Sequence, residues 1–149
     1  MVYTSRSNKG IVKMKTVGYF LSSVRQLTGL LVALGVEFVL GIVLTTVLRY
    51  DPGKHSTLQM LVLFLHIFVG VGVLAGGIAR LVTAFKQQAL RIAAATGLLG
   101  TCGAFGSGDV AAKAGSSLAV FVMTACFFVA FAAYGYSLLA VRQTLPKRA

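Results

Sequence analysis

Four long apolar stretches alternate with short polar segments along this chain. The stretches run from about Leu27 to Leu48, Leu58 to Ala79, Ala89 to Phe105 and Ser117 to Val141. About 20 apolar residues in a helix cross a hydrocarbon core of about 30 Å, so each stretch predicts a transmembrane helix. Short connections make sequential helices antiparallel neighbours. The pattern therefore predicts an all-α membrane protein whose four transmembrane helices form an up-down-up-down bundle.

The polar segments carry signals for turns and helix starts. Asp-Pro-Gly at residues 51–53 predicts a turn, because proline has no backbone N–H and cannot continue a helix. Ser56 or Thr57 is a candidate N-cap for the second helix. Gly-Ser-Gly-Asp at residues 106–109 predicts a loop before the fourth span. Residues 1–26 are basic with apolar residues at helical spacing, which predicts an amphipathic surface helix or a cytoplasmic extension of the first span.

Composition and charge agree with a membrane location. The chain has 149 residues, 57% of them hydrophobic and 11% charged, whereas soluble domains usually carry about 25% charged residues. The formal net charge of +11 would suggest nucleic acid binding in a soluble protein. Here the basic residues flank the apolar stretches, so orientation in a lipid bilayer explains them, and no nucleic acid partner is expected.

The basic residues also predict how the chain is oriented. Eleven of the 14 lie before the first span, between the second and third, or after the fourth. They are Arg6, Lys9, Lys13, Lys15, Arg25, Arg80, Lys86, Arg91, Arg142, Lys147 and Arg148. Cytoplasmic connections are enriched in Lys and Arg. We therefore expect a single membrane domain over residues 1–149 in the cell membrane, with both termini cytoplasmic.

Glu37 is a carboxyl group in the middle of the first apolar stretch. It lies about 18 Å from the outer end of its predicted helix. Ionisable side chains at such a depth are costly and commonly mark proton or ion pathways. The functional interpretation is a proton or cation site. The structural alternative is a neutral carboxylic acid that hydrogen-bonds a neighbouring helix and holds the bundle or a partner subunit together.

His66 lies at a depth similar to that of Glu37, on the next predicted helix. A Glu37–His66 pair is geometrically feasible and has the chemistry of a proton shuttle. His66 is also a candidate ligand of a haem b iron, with Met123 at similar depth on the fourth span as the second axial ligand. The alternatives are an interhelical hydrogen bond for His66 and simple packing for Met123.

The remaining polar and small residues predict structure rather than catalysis. Cys102 and Cys126 lie at different depths, as apolar fillers, and Tyr134 and Tyr136 approach the inner end of the fourth span, where aromatic belts form. No nucleophile–base arrangement and no metal-ligand spacing is present, so no catalytic residues, no metal and no enzymatic activity are expected.

Glycines at small-residue spacing indicate where helices approach closely. They are Gly72 and Gly76 in the second span, and Gly97 and Gly100 in the third. Small residues let helix backbones come together inside a membrane. The spacing predicts that the second and third spans pack closely. The alternative is that glycine is simply common in membrane helices.

Two short runs carry a resemblance to known proteins. The first span contains the run from Gly35 to Gly41 around Glu37, and the second the run from Leu65 to Gly70 around His66. With the Gly/Ala-rich third span, this layout resembles small uncharacterised four-helix membrane proteins of prokaryotes. More remotely, it is similar to one four-helix half of haem A synthase. That resemblance implies haem held by histidine pairs, but His66 is the single intramembrane histidine here, which excludes a bis-histidine haem within one chain.

Three functions follow as expectations. The first is a structural or accessory subunit of a larger membrane complex, with a respiratory complex as one candidate, because the chain is apolar, short-looped and poor in catalytic groups. The second is a small oligomeric proton-coupled carrier or channel that uses Glu37. The small multidrug transporters are similar in having four helices and a carboxylate in the first. The third is a haem-binding electron-transfer subunit that uses His66.

Overall fold

The computed structural model describes residues 5–44, 56–85, 88–114 and 116–143. In the first of these ranges, side chains are described from Ser22 onward. The predicted turn at residues 51–53 and the end of the first span near Leu48 lie outside the described residues.

The described residues form four helices. They are α1 (Ser5–Ile42), α2 (Thr57–Ala84), α3 (Gln88–Ala114) and α4 (Ser117–Gln143). Three helical segments are long and apolar enough to cross a membrane, namely Ser22–Ile42, Thr57–Ala84 and Ser117–Gln143. The all-α class and the membrane location are therefore confirmed. The third predicted span is also a helix, but α3 is not among the helical segments that are apolar enough to cross a membrane.

The N-terminal segment continues directly into the first span. α1 is one unbroken helix from Ser5 to Ile42, so the basic segment extends the span rather than forming a separate surface helix. At about 1.5 Å per residue, its 38 residues reach about 57 Å, well beyond a hydrocarbon core of about 30 Å.

A capping box starts α2. The Ser56 hydroxyl accepts a hydrogen bond from the Gln59 backbone N–H at 3.2 Å, and the Gln59 side chain accepts one from the Ser56 backbone N–H at 3.0 Å. These reciprocal bonds satisfy backbone donors that have no partner within the helix. Ser56, rather than Thr57, is therefore the N-cap.

The predicted loop at residues 106–109 is wrong, because α3 continues through it to Ala114. The Ser107 hydroxyl donates to the Gly103 carbonyl at 2.5 Å, and Lys113 pairs with Asp109 one turn earlier at 2.8 Å. Gly108 lies against Met123 of α4, whose Sδ is 3.3 Å from the position of an added Cβ. Packing against α4 and these local bonds override the weak helix propensity of glycine.

The helices form a ring in which each packs against its neighbours in sequence, and α4 closes the ring against α1. Among the described residues, α1 and α3 lie diagonally, as do α2 and α4. Gly70 lies against Glu37 and Gly76 against Leu30, so α1 and α2 run antiparallel. A core of leucine, valine, alanine and aromatic side chains fills the centre. Its most buried members are Leu27, Val73, Ala84, Ala94, Ala130, Tyr134 and Val141.

The four glycines that were expected between α2 and α3, namely Gly72, Gly76, Gly97 and Gly100, do not lie at that contact. An added Cβ at Gly100 would lie 2.8 Å from the Cys126 carbonyl oxygen and 2.9 Å from the Ala130 nitrogen. Gly97 lies against the Tyr134 ring, so both α3 glycines make room for α4. Gly76 lies against α1 instead. Nothing lies within 4 Å of the Cβ position of Gly72.

Candidate functional site

Glu37 lies on the face of α1 that contacts the other helices. Leu27, Leu30, Leu34 and Glu37 follow one another at three- and four-residue spacing, and all four are buried. Residues at this spacing share one face of a helix. Glu37 is therefore carried into the bundle by the same stripe that forms the core, and only 8% of it is exposed.

His66 of α2 meets Glu37 across the interface between α1 and α2. Its Nδ1 lies 3.2 Å from Glu37 Oε1. The distance suits a hydrogen bond, but the ring N–H does not point along it, since Nδ1 has no partner in hydrogen-bond geometry. The pair is thus close enough to share a proton and to neutralise an ionised carboxylate with an imidazolium.

Gly70 gives the carboxylate its space. A Cβ at this position would lie 2.8 Å from Glu37 Oε1 and would overlap the ring of Phe105 of α3. The Cβ position of Gly41 lies 3.6 Å from His66 Cε1. Residues of three helices therefore meet near the acid–imidazole pair, and a glycine lies beside each of its two groups.

The two oxygens of the Glu37 carboxylate differ in their surroundings. Glu37 Oε2 is buried and has no hydrogen-bond partner among the described residues. Buried polar atoms are almost always paired, and leaving one unpaired costs about 1–3 kcal/mol. A proton on Oε2, or a cation against it, would remove that cost.

An aromatic cluster joins α1 to α4 next to Glu37 in the sequence. The Phe38 ring stacks on Phe127 with centroids 4.4 Å apart, and Phe128 and Phe131 extend the cluster. Phe38 directly follows Glu37 in the chain. The cluster therefore packs α1 against α4 at the level of the carboxyl-bearing residue.

The structure places Met123 against Gly108, between α3 and α4. α4 is diagonal to α2, and the Phe105 ring of α3 lies beside Gly70. His66 lies against Glu37 of α1, with Nδ1 3.2 Å from Oε1, and the haem b site stays a prediction.

This chain has no significant match among family models, curated proteins or solved structures. The resemblance to small prokaryotic membrane proteins and to haem A synthase therefore stays a prediction. Its function has to be inferred from the residues themselves.

A second set of buried polar residues lies toward the other end of the bundle. Tyr134 does not lie in an aromatic belt, because it is 0% exposed, whereas Tyr136 on the same helix is exposed. Arg80, Thr101 and Ser137 are also buried. The burial of Arg80 could have been predicted from its spacing, because it lies three residues after Gly77 on the face that α2 buries. Treating Arg80 only as a basic residue at the end of a span misses this position.

The buried polar side chains occupy successive levels of the bundle. Gly70 lies level with Glu37 and Phe105, while Gly77 lies level with Tyr134 and Leu98. Thr101 is between Leu98 and Phe105 on α3, and its hydroxyl donates to the Gly97 carbonyl at 2.9 Å. The interior therefore carries polar groups over several turns rather than at one point.

Proposed function

We propose that this protein moves protons, or a small cation that replaces them, through a membrane as an oligomeric carrier or channel, with Glu37 and His66 as the ionisable site. One observation carries the proposal: a buried carboxylate lies 3.2 Å from an imidazole nitrogen and has a second oxygen without a partner. Groups of this kind inside a membrane commonly form proton relays.

The proposed topology has four crossings with both termini on the cytoplasmic side. α3 has 27 residues, which is about 40 Å of helix and enough for a core of about 30 Å. It packs between α2 and α4, both of which are apolar enough to span. The eleven basic residues on one side of this arrangement supply the orientation in the cell membrane.

Proton flux into proteoliposomes tests the proposal. The purified protein is reconstituted around a pH-sensitive dye, and a potassium diffusion potential drives protons inward. We expect Glu37→Gln and His66→Gln to lower the flux about tenfold or more, because each removes a titratable group from the pathway. Circular dichroism checks that both variants remain helical.

Asp109→Asn is the matched control. Asp109 is exposed and pairs with Lys113 on its own helix, so its loss should leave the flux unchanged. If Glu37→Gln conducts like the wild type, or if wild-type liposomes conduct no better than empty ones, the proposal is wrong.

The second candidate is an accessory subunit of a larger membrane complex, with a respiratory complex among the options. The outward face of α3 supports it, since the apolar side chains of Ile92 and Leu99 are exposed there beside the small residues Thr96, Cys102 and Gly106. Small side chains on an outward face permit close contact with another helix. Extraction in mild detergent followed by mass spectrometry would show partners in fixed ratio. A protein that purifies alone would count against this candidate.

A further inference from the structure

Arg80 is a buried cation whose hydrogen-bonding edge is open. The residue is 2% exposed, and its Nε and Nη2 are buried without a hydrogen-bond partner among the described residues. These two nitrogens lie on the same side of the guanidinium and present parallel N–H bonds. That edge matches the two oxygens of a carboxylate or phosphate.

The described part of the chain places no carboxylate beside this edge. The protein has three acidic residues. Glu37 lies at the level of Gly70, ten residues before Arg80 on α2 and about 15 Å away along the helix. Asp109 pairs with Lys113 in the last turns of α3. Asp51 precedes α2 in the chain, whereas Arg80 lies in the last two turns of that helix.

A hydroxyl without a partner lies one turn from Arg80. The Tyr134 hydroxyl is 2.7 Å from the position of a Cβ at Gly77, three residues before Arg80. Thr101 is close to this hydroxyl; its own hydroxyl donates to the Gly97 carbonyl and keeps its capacity to accept. Tyr134 Oη is buried and has no partner in hydrogen-bond geometry. Two donor groups in one region of the bundle are thus both unsatisfied.

We propose that Arg80 and Tyr134 form a binding site for an oxyanion, either the phosphate of an anionic lipid headgroup or a free phosphate. A buried charge without a partner is strongly unfavourable, and a bidentate oxyanion satisfies both open N–H groups at once. Arg25 of α1 is exposed at the same end of the bundle. Its positive charge raises the local concentration of anions there. The site is separate from the Glu37–His66 pair and does not depend on proton movement.

Ligand binding to the purified, delipidated protein tests this site. One arm adds inorganic phosphate, and the other adds short-chain phosphatidylglycerol, with phosphatidylcholine as the zwitterionic comparison. Unfolding temperature from circular dichroism and native mass spectrometry report binding, because a ligand that binds the folded state alone raises its stability. Binding of phosphatidylglycerol alone identifies a lipid headgroup, and binding of phosphate identifies a free anion. Failure of both overturns the proposal.

Variants connect the binding to the named residues. We expect Arg80→Gln to weaken the affinity about tenfold or more, since it removes a charge-assisted bidentate contact. Tyr134→Phe should also weaken it about tenfold or more, as for loss of one hydrogen bond to a charged group. Arg80→Lys keeps the charge but not the paired N–H groups, so it tests the same edge if Arg80→Gln does not fold.

Arg142→Gln is the matched control. Arg142 is exposed on α4, whereas Arg91 is unsuitable because its Nη2 donates to the Phe85 carbonyl at 2.7 Å. The control variant should bind within about twofold of the wild type, as expected for a screened surface charge. If Arg80→Gln and Arg80→Lys both bind as tightly as Arg142→Gln, the anion is held elsewhere and the proposal is wrong.

Discussion

Gly70 is the position where a single methyl group would test the geometry of the candidate site. In Gly70→Ala, the new Cβ would lie 2.8 Å from Glu37 Oε1 and would overlap the Phe105 ring. Ordinary contacts need about 3.5 Å, so the carboxylate oxygen must retreat by about 0.7 Å. This oxygen is 3.2 Å from His66 Nδ1. A shift of this size away from the ring would therefore separate the two atoms beyond hydrogen-bond distance.

The expected cost follows from two opposing terms. Overpacking a filled interior costs about 1–3 kcal/mol, while alanine in a helix gains about 0.5–1 kcal/mol over glycine. Gly72→Ala is the control on the same helix, because nothing lies within 4 Å of its Cβ position. Both variants share the propensity gain, so Gly70→Ala should be about 1–3 kcal/mol less stable than Gly72→Ala.

Stability and flux are measured on the same preparations. The chain has no tryptophan, so unfolding in a detergent titration is followed by circular dichroism rather than by intrinsic tryptophan fluorescence. We expect Gly70→Ala to lose proton flux as well as stability, and Gly72→Ala to lose neither. Equal stability and equal flux in the two variants would show that Glu37 does not lie against Gly70.

Three further predictions test the rest of the bundle. Gly100→Ala should be about 1–3 kcal/mol less stable than Gly106→Ala in the same detergent titration. A Cβ at residue 100 would overlap backbone atoms of α4, whereas nothing lies within 4 Å of a Cβ at residue 106. Equal stability of the two variants would contradict the α3–α4 contact. Arg80→Met should leave the stability of the ligand-free protein unchanged or raise it by about 1–4 kcal/mol, and a clear destabilisation would mean that Arg80 is paired within the chain. Phe127→Ala should cost about 3–5 kcal/mol by removing the ring stacked on Phe38, and a loss below about 1 kcal/mol would contradict that stack.

The sequence predicts the helices better than it predicts where they end. The second and fourth apolar stretches match α2 and α4 to within a few residues, because apolar length and the Ser56 cap are local signals. The end of α3 could not be predicted in this way. Glycines at residues 106 and 108 favour a loop by propensity, and only the contact of Gly108 with Met123 of another helix explains why the helix continues.

The two polar regions also differ in how well the sequence predicts them. Glu37 and His66 could be related from the sequence because they lie at similar depth on helices joined in sequence. Arg80 was harder to place, since a basic residue near the end of a span normally reaches toward the membrane surface. Arg80 is buried because it lies on the same stripe of α2 as Gly77 and Ala84. Its burial therefore depends on which face of α2 the other helices cover.

Glycine on another helix accompanies polar groups in both regions. Gly70 faces the Glu37 carboxylate and Gly77 faces the Tyr134 hydroxyl, and each would place a Cβ closer than 3 Å to the polar oxygen. A buried oxygen needs space for a proton, a cation or a hydrogen-bond partner, and a glycine on a facing helix leaves that space without separating the helices. Gly72 lies on the same helix as these two glycines but faces open space, so glycine content alone does not mark a polar site. The informative combination is an ionisable or hydroxyl residue in one span with a glycine at the same depth on another.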